Sequence, residues 1–232
     1  MLLRHLREEV LQANLELIRR GLVIYTFGNA SGIDRELGLV VIKPSGVPFD
    51  ELVPENLVVT DLEGRVLEGD LRPSSDLPTH LALYRAFPSI GGVVHTHSRY
   101  ATAWAQARRE IPCLGTTHAD YFHGPVPVTE PLSREEIEHD YERLTGEVIV
   151  RRFRAMDPLE MPAVLVAGHG PFCWGQTALE AAEHAVLLEE VAALAYFTVI
   201  LNPAAGPLAP ALLDKHFYRK HGAGAYYGQK GN

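Results

Sequence analysis

The chain has 232 residues, 47% of them hydrophobic, with 21 Lys and Arg against 29 Asp and Glu and a formal net charge of −8. That is enough apolar material for one sizeable core, and the acidic balance argues against a general nucleic-acid binder while leaving room for a small anion held by local donors. Cys113 and Cys173 lie far apart and form no Cys-x-x-Cys pair, which argues against a disulfide framework or a thiolate zinc site and for a reducing cytoplasm.

Charge interrupts the leucines of residues 1–9, so they do not form a secretory h-region, and the longest uncharged apolar run, 191–201, is short of the ~20 residues that span a bilayer. A soluble protein with no membrane contact is expected. Leu3, Leu6, Val10, Leu11, Leu17 and Ile18 follow helical spacing, and Gly21 stands where a helix C-cap would be. Leu22 to Phe27 predicts a strand, and Gly28-Asn29-Ala30-Ser31-Gly32 reads either as a plain turn or as a loop presenting its amides to a ligand. A strand over 38–42 runs into Lys43-Pro44-Ser45-Gly46, whose ammonium, hydroxyl and exposed amide suit a phosphate. Residues 57–60 and 65–67 predict a hairpin turning at Glu63-Gly64.

Arg72-Pro73-Ser74-Ser75-Asp76 precedes a helical pattern over 77–87 with Pro78 in its first turn. Asp76 reads equally as the N-cap of that helix or as a ligand beside an anion held by the two hydroxyls. Gly91 to Ser98 predicts a buried strand carrying His95 and His97. Residues i and i+2 of a strand share a face about 6–7 Å apart, so the two imidazoles can meet one metal ion or simply end a strand. Ser98 opens a helix to Gln106, and residues 115–122 form a short loop dense in titratable and hydroxyl groups. Ser133-Arg134-Glu135-Glu136 fits a capping box before a charged helix that carries Glu142.

Residues 161–166 predict a buried strand ending at Gly168-His169-Gly170, an accessible histidine suited to be a third imidazole ligand or a turn residue. Thr177 to Glu180 is a second capping box, opening the longest helix to about Ile200, on which His184 reads as structural. A Pro- and Gly-rich linker then leads to a short helix with Asp214, His216 and Arg219. Its glycine-rich tail carries Tyr226 and Tyr227, which suggest docking on this subunit or on a neighbour.

Taken together, Gly28-Asn29-Ala30-Ser31, Lys43-Pro44-Ser45-Gly46, Pro73-Ser74-Ser75-Asp76, His95-Thr96-His97-Ser98 and Gly168-His169-Gly170-Pro171 resemble the class II aldolase/epimerase family in order and spacing, over nearly the whole chain. Thr116 to Tyr121, Lys220-His221-Gly222 and Ala225-Tyr226-Tyr227-Gly228-Gln229 are similar to its epimerase branch. The resemblance implies an α/β fold over 1–232: one domain, with a mostly antiparallel central β-sheet, helices on both faces, and residues 203–232 a helix and tail docking near the active site. It implies a zinc-type ion, or another divalent ion such as Mn2+ or Co2+, on Asp76, His95, His97 and His169. Phosphate is then expected among Asn29, Lys43, Ser45, Gly46, Ser74 and Ser75. The implied reaction is C4 epimerisation of a ketopentose phosphate by C3–C4 cleavage and re-addition, with Asp120 and Tyr227 serving opposite faces. Thr116, Glu142 and His216 match further site positions, in positioning or proton transfer. A cyclic homotetramer with sites between subunits follows from the same resemblance, as does a place in carbohydrate catabolism such as that of L-arabinose or L-ascorbate. Related aldolases carry Glu where this chain has Asp76, which favours the epimerase over an aldolase acting on a related phosphorylated sugar.

Overall fold

The computed structural model describes residues 1–222 and 224–228. Gln229, the last residue of the tail motif, lies outside them.

Helix α1 (Arg4–Arg19) ends as its sequence requires, with Gly21 at φ +69 taking the left-handed position after the C-cap. Strand β1 is Asn29–Asp34 and β2 is Leu39–Ile42, followed by two 3-10 turns, β3 (Val58–Asp61) and β4 (Val66–Glu68). Helix α2 (Leu77–Ala86) leads to β5 (Gly92–His95), α3 (Arg99–Gln106), the single turn α4 (Thr116–Ala119) and α5 (Arg134–Arg152). After β6 (Ala163–Leu165) and β7 (Pro171–Gly175) come the long α6 (Ala178–Leu201) and α7 (Pro210–Tyr218). The seven strands form one sheet in the order β4-β3-β2-β1-β5-β7-β6, with every ladder antiparallel.

Helices cover both faces, and β1 shows why. Side chains alternate along a strand. A Cβ on Gly32 would meet Leu6 and Val10 of α1 and lie 3.5 Å from Ala178 of α6, whereas Ser31 turns the other way and bonds His80 and Tyr84 of α2. Helix α5 lies against α2 at Gly146, where an added Cβ would fall 2.5 Å from Ala82. Helix α6, 24 residues at mean hydropathy 1.7, is long and apolar enough to cross a bilayer by composition. Here its Ala181, Ala182, Ala185, Leu188 and Ala192 are buried in the core instead.

Two sequence expectations are corrected. Leu22 to Phe27 is an irregular connection, not a strand, turned by Tyr25 at φ 53 and Gly28 at φ 85. The strand begins at Asn29, inside the stretch expected as a turn: its small residues are there because α1 and α6 press on the sheet. Strand β7 went unforeseen. It opens on Pro171, which a strand tolerates at its first residue, and its Phe172, Cys173 and Trp174 are all buried.

Candidate active site

Strand register assembles the site. Asn29 of β1 and Phe172 of β7 both face His95 of β5 across their ladders, so the three side chains share one face of the sheet. Phe172 stacks under the His95 ring, centroids 4.2 Å apart and planes 17° apart. His95 Nδ1 lies 2.9 Å from the Pro171 carbonyl and donates to it, leaving Nε2 with its lone pair facing the cavity. His97, two residues past that point, brings its own Nε2 to 3.0 Å from it. His169, on the turn from β6 to β7, packs edge-on to both rings, with centroid distances of 4.7 and 5.0 Å, and its Nδ1 is 3.2 Å from the Tyr141 hydroxyl of α5.

Donor nitrogens of His95, His97 and His169 all lie within 4.8 Å of one another. Burial is the main cause lowering the pKa of His97, and it holds His169 down to about 4 with help from the other two imidazoles. Three imidazoles whose ring nitrogens converge, two of them at hydrogen-bond distance, are the donor set of a zinc-type ion. The residues present fit such a metal.

Asp76 lines the same cavity but stands outside this trio. Its side chain does not cap α2, so the capping reading fails. Its Oδ2 instead accepts from Asn29 Nδ2 at 2.6 Å. Burial works against the Asp76 carboxylate, but His95, His80 and the Asn29 amide outweigh it and keep the pKa below the ordinary value.

The cavity, about 390 Å³, is further lined by Lys43, Ser45, Gly46, Ser74, Ser75 and Glu142. Two loops are zipped together here: Ser45 N donates to the Arg72 carbonyl and Ser74 N to the Lys43 carbonyl. Lys43 is buried above the Phe49 ring, its Nζ 4.8 Å from the centroid, and burial pushes its pKa down to about 8. A buried ammonium whose nearest acceptor is the Pro44 carbonyl at 3.3 Å has electrostatic capacity left for an anion.

Thr116, Asp120, His216 and Tyr227 do not line this cavity. The last three gather elsewhere. Asp120, just after α4, accepts from His216 Nδ1 (3.0 Å) and from Arg219 Nε and Nη2 (3.0 and 2.7 Å), with Lys220 Nζ at 3.9 Å. Burial alone would raise its pKa, but Arg219, His216 and Lys220 hold the carboxyl below its usual range. Arg219 and Lys220 also lie 4.7 and 4.6 Å from the centroid of the Tyr227 ring, which is exposed. The tail thus docks on α4 of its own chain. His184 is structural as expected, its Nδ1 bonded to the Trp174 carbonyl. Sequence reasoning passed over Tyr141, whose adjacency to Glu142 was the available signal, and His80, one turn after Asp76.

The chain is 54% identical over 228 residues to the L-ribulose-5-phosphate 4-epimerase UlaF of Salmonella paratyphi C, covering 98% of this chain and all of that one, and equally so to the protein of that name from Salmonella typhi. Among solved structures it is similar to an L-fuculose 1-phosphate aldolase, with TM-score 0.78 and 26% identity over 93% of this chain and 95% of that one. The L-fuculose-1-phosphate aldolase of Thermus thermophilus superposes with TM-score 0.68 and 27% identity over 86% and 98%. The family described as class II aldolase and adducin N-terminal domain matches residues 8–196, which contain the three imidazoles, Lys43 and Asp76. With that match and the full-length likeness to UlaF, the chain belongs to the class II aldolase family.

Proposed function

We propose that the chain is a divalent-metal-dependent epimerase interconverting L-ribulose 5-phosphate and D-xylulose 5-phosphate at C4, acting in the cytoplasm. The observation that carries this reading is the convergence of His95, His97 and His169 beside the buried Lys43 in one cavity, in a chain so similar to UlaF.

The chemistry explains the need for both halves of the cavity. C4 is β to the ketone, so its C–H is not acidified, and inversion there goes by breaking the C3–C4 bond. His95, His97 and His169, with Asp76 as fourth ligand, would hold a divalent ion, which would supply Lewis acidity for the negative charge that develops when the bond breaks. Lys43, Ser45, Gly46, Ser74, Ser75 and Asn29 keep the glycolaldehyde phosphate fragment by its phosphate while its aldehyde turns to offer the other face. One proton must leave the C4 hydroxyl as the bond breaks, and one must return as it re-forms. Asp120, ionised and in contact with His216, serves one face; Tyr227, beside two cations, serves the other. Thr116 and Glu142 position the substrate.

Asp120 and Tyr227 stand apart from the imidazole cavity of their own chain, which supports a homotetramer whose sites lie between subunits. Exposed Ile24, Tyr25 and Phe27 near the cavity and Tyr196, Phe197, Ile200 and Leu201 on α6 offer apolar surface for such contacts.

The test is a coupled assay of the zinc-supplemented protein with L-ribulose 5-phosphate, following D-xylulose 5-phosphate, with a chelator-treated control. Metal-dependent product is expected. The likeness to L-fuculose 1-phosphate aldolase favours a second reading, an aldolase on a related phosphorylated sugar. Net release of dihydroxyacetone phosphate or another free cleavage product, with no epimer formed, would establish it instead.

A further inference from the structure

His80 is fully buried on α2, one turn after Asp76. Its Nδ1 is 2.7 Å from Ser31 Oγ, which is in turn 2.7 Å from the Tyr84 hydroxyl. Its Nε2 is buried with no partner among the described residues. A buried ring nitrogen without a partner is costly, so its persistence asks for a reason.

The chain Tyr84–Ser31–His80 has one favourable polarity. A phenol is a stronger donor than a serine hydroxyl, and Ser31 Oγ is the partner within reach of the Tyr84 hydroxyl. In that polarity Tyr84 donates to Ser31, Ser31 donates to His80 Nδ1, and the His80 proton rests on Nε2. The His80 ring stands edge-on to Phe172, centroids 6.1 Å apart, and Phe172 is the ring stacked under His95. Asp76 and His95 are the site groups whose charge acts on it. A complementary orphan flanks Asp76 from β1: Asn29 Nδ2 is spent on Ser74 and Asp76, while its Oδ1 is buried and unpaired.

We infer that His80 is a positioning residue for the metal centre: its Nε2–H, held by Tyr84 and Ser31 and left unpartnered in this structure, takes the Asp76 carboxylate as acceptor when Asp76 turns to join the three imidazoles. The inference rests on the metal-dependent reading above. Outer partners of this kind change metal affinity about 10–100-fold.

The experiment uses Zn2+ itself as the probe, titrated into metal-free full-length protein in competition with a chromophoric chelator. His80→Gln can place an amide N–H where Nε2–H stood, and is expected to hold Zn2+ within about threefold of the unsubstituted protein. His80→Asn mimics Nδ1 instead and is expected to weaken Zn2+ about 10–100-fold. Long-range proton–nitrogen NMR of the unsubstituted protein, labelled at histidine, reads the tautomer without His80 being changed, with His80 assigned by its disappearance in His80→Gln or, should that variant not fold, by the signal that shifts most in Tyr84→Phe. An Nε2–H tautomer is expected. An Nδ1–H tautomer, or equal affinity of the Gln and Asn variants, would overturn the inference, whereas failure of the unsubstituted protein to bind Zn2+ would overturn the metal-dependent reading itself.

Discussion

Under the proposed function Lys43 sits between two demands: burial favours its neutral amine, and a phosphate would need its ammonium. Below about pH 8 the free protein already holds the proton. Above that pH the proton must be taken up on binding, so KM for the pentulose phosphate should be flat up to about pH 8 and then rise by up to about tenfold per unit. A pH series of KM checks this, and Lys43→Met should raise KM at pH 7 while flattening the profile. Tyr227→Phe removes one hydroxyl from an exposed ring. It should bind zinc and fold as before yet lose about 10²–10⁴ in kcat, and full turnover in that variant would take Tyr227 out of the mechanism. At this scale the sequence was legible where chemistry concentrates in short motifs: His-x-His two residues apart, Gly-His-Gly, and Lys-Pro-Ser-Gly. It was silent on His80 and Tyr141, because a histidine inside an apolar helix and a tyrosine in a charged one look like filler until the register of β1 and β5 shows what they face.

Helical elements were read well because capping boxes and 3.6-residue periodicity are local signals. Ser133 and Thr177 both accept from the backbone amide three residues on, as their boxes predict. Strands β1 and β7 were not read: Asn-Ala-Ser-Gly-Ile-Asp has one β-branched residue, Ile33, among small and polar ones, and owes its extended form to the helices pressing on it. Gly92 of β5 shows the same pressure: an added Cβ would lie 2.4 Å from both Ala178 Cα and the Thr177 carbonyl oxygen. Backbone on both sides cannot yield cheaply. Gly92→Ala should cost about 1–3 kcal/mol or more, read from the shift in urea midpoint. Because β5 also carries His95, the same variant should loosen zinc binding even at temperatures where it stays folded.

For the molecule as a whole, buried neutral histidines set an acid limit. Burial holds His80 at about 3 and His118 at about 4, below the ordinary value near 6.5. On acidification through 6.5 the unfolded chain takes up these protons and the folded one does not. Stability is therefore undiminished by these groups above about pH 6.5. It falls as pH drops toward 4, by about 1.4 kcal/mol per unit for each histidine. Denaturation midpoints at pH 7.5 and 5 measure the loss. The proposed shared site has its own test: His97→Asn and Tyr227→Phe, each inactive alone, should regain turnover when dissociated and reassembled together, since mixed interfaces pair an intact cavity with an intact tyrosine. No recovery would place the whole site within one chain.

The Asp120 cluster and the imidazole cavity are built by different parts of the chain, one by α4 and the α7 tail, the other by the sheet and α2. Under the shared-site reading, dilution separates two properties that usually travel together. A solitary subunit keeps its grip on zinc, which needs only groups of its own chain, the three imidazoles and Asp76, but has no proton donor to place against the substrate. Specific activity should therefore fall with protein concentration while bound zinc per chain stays constant, so that the concentration of the enzyme itself acts as a switch on its turnover.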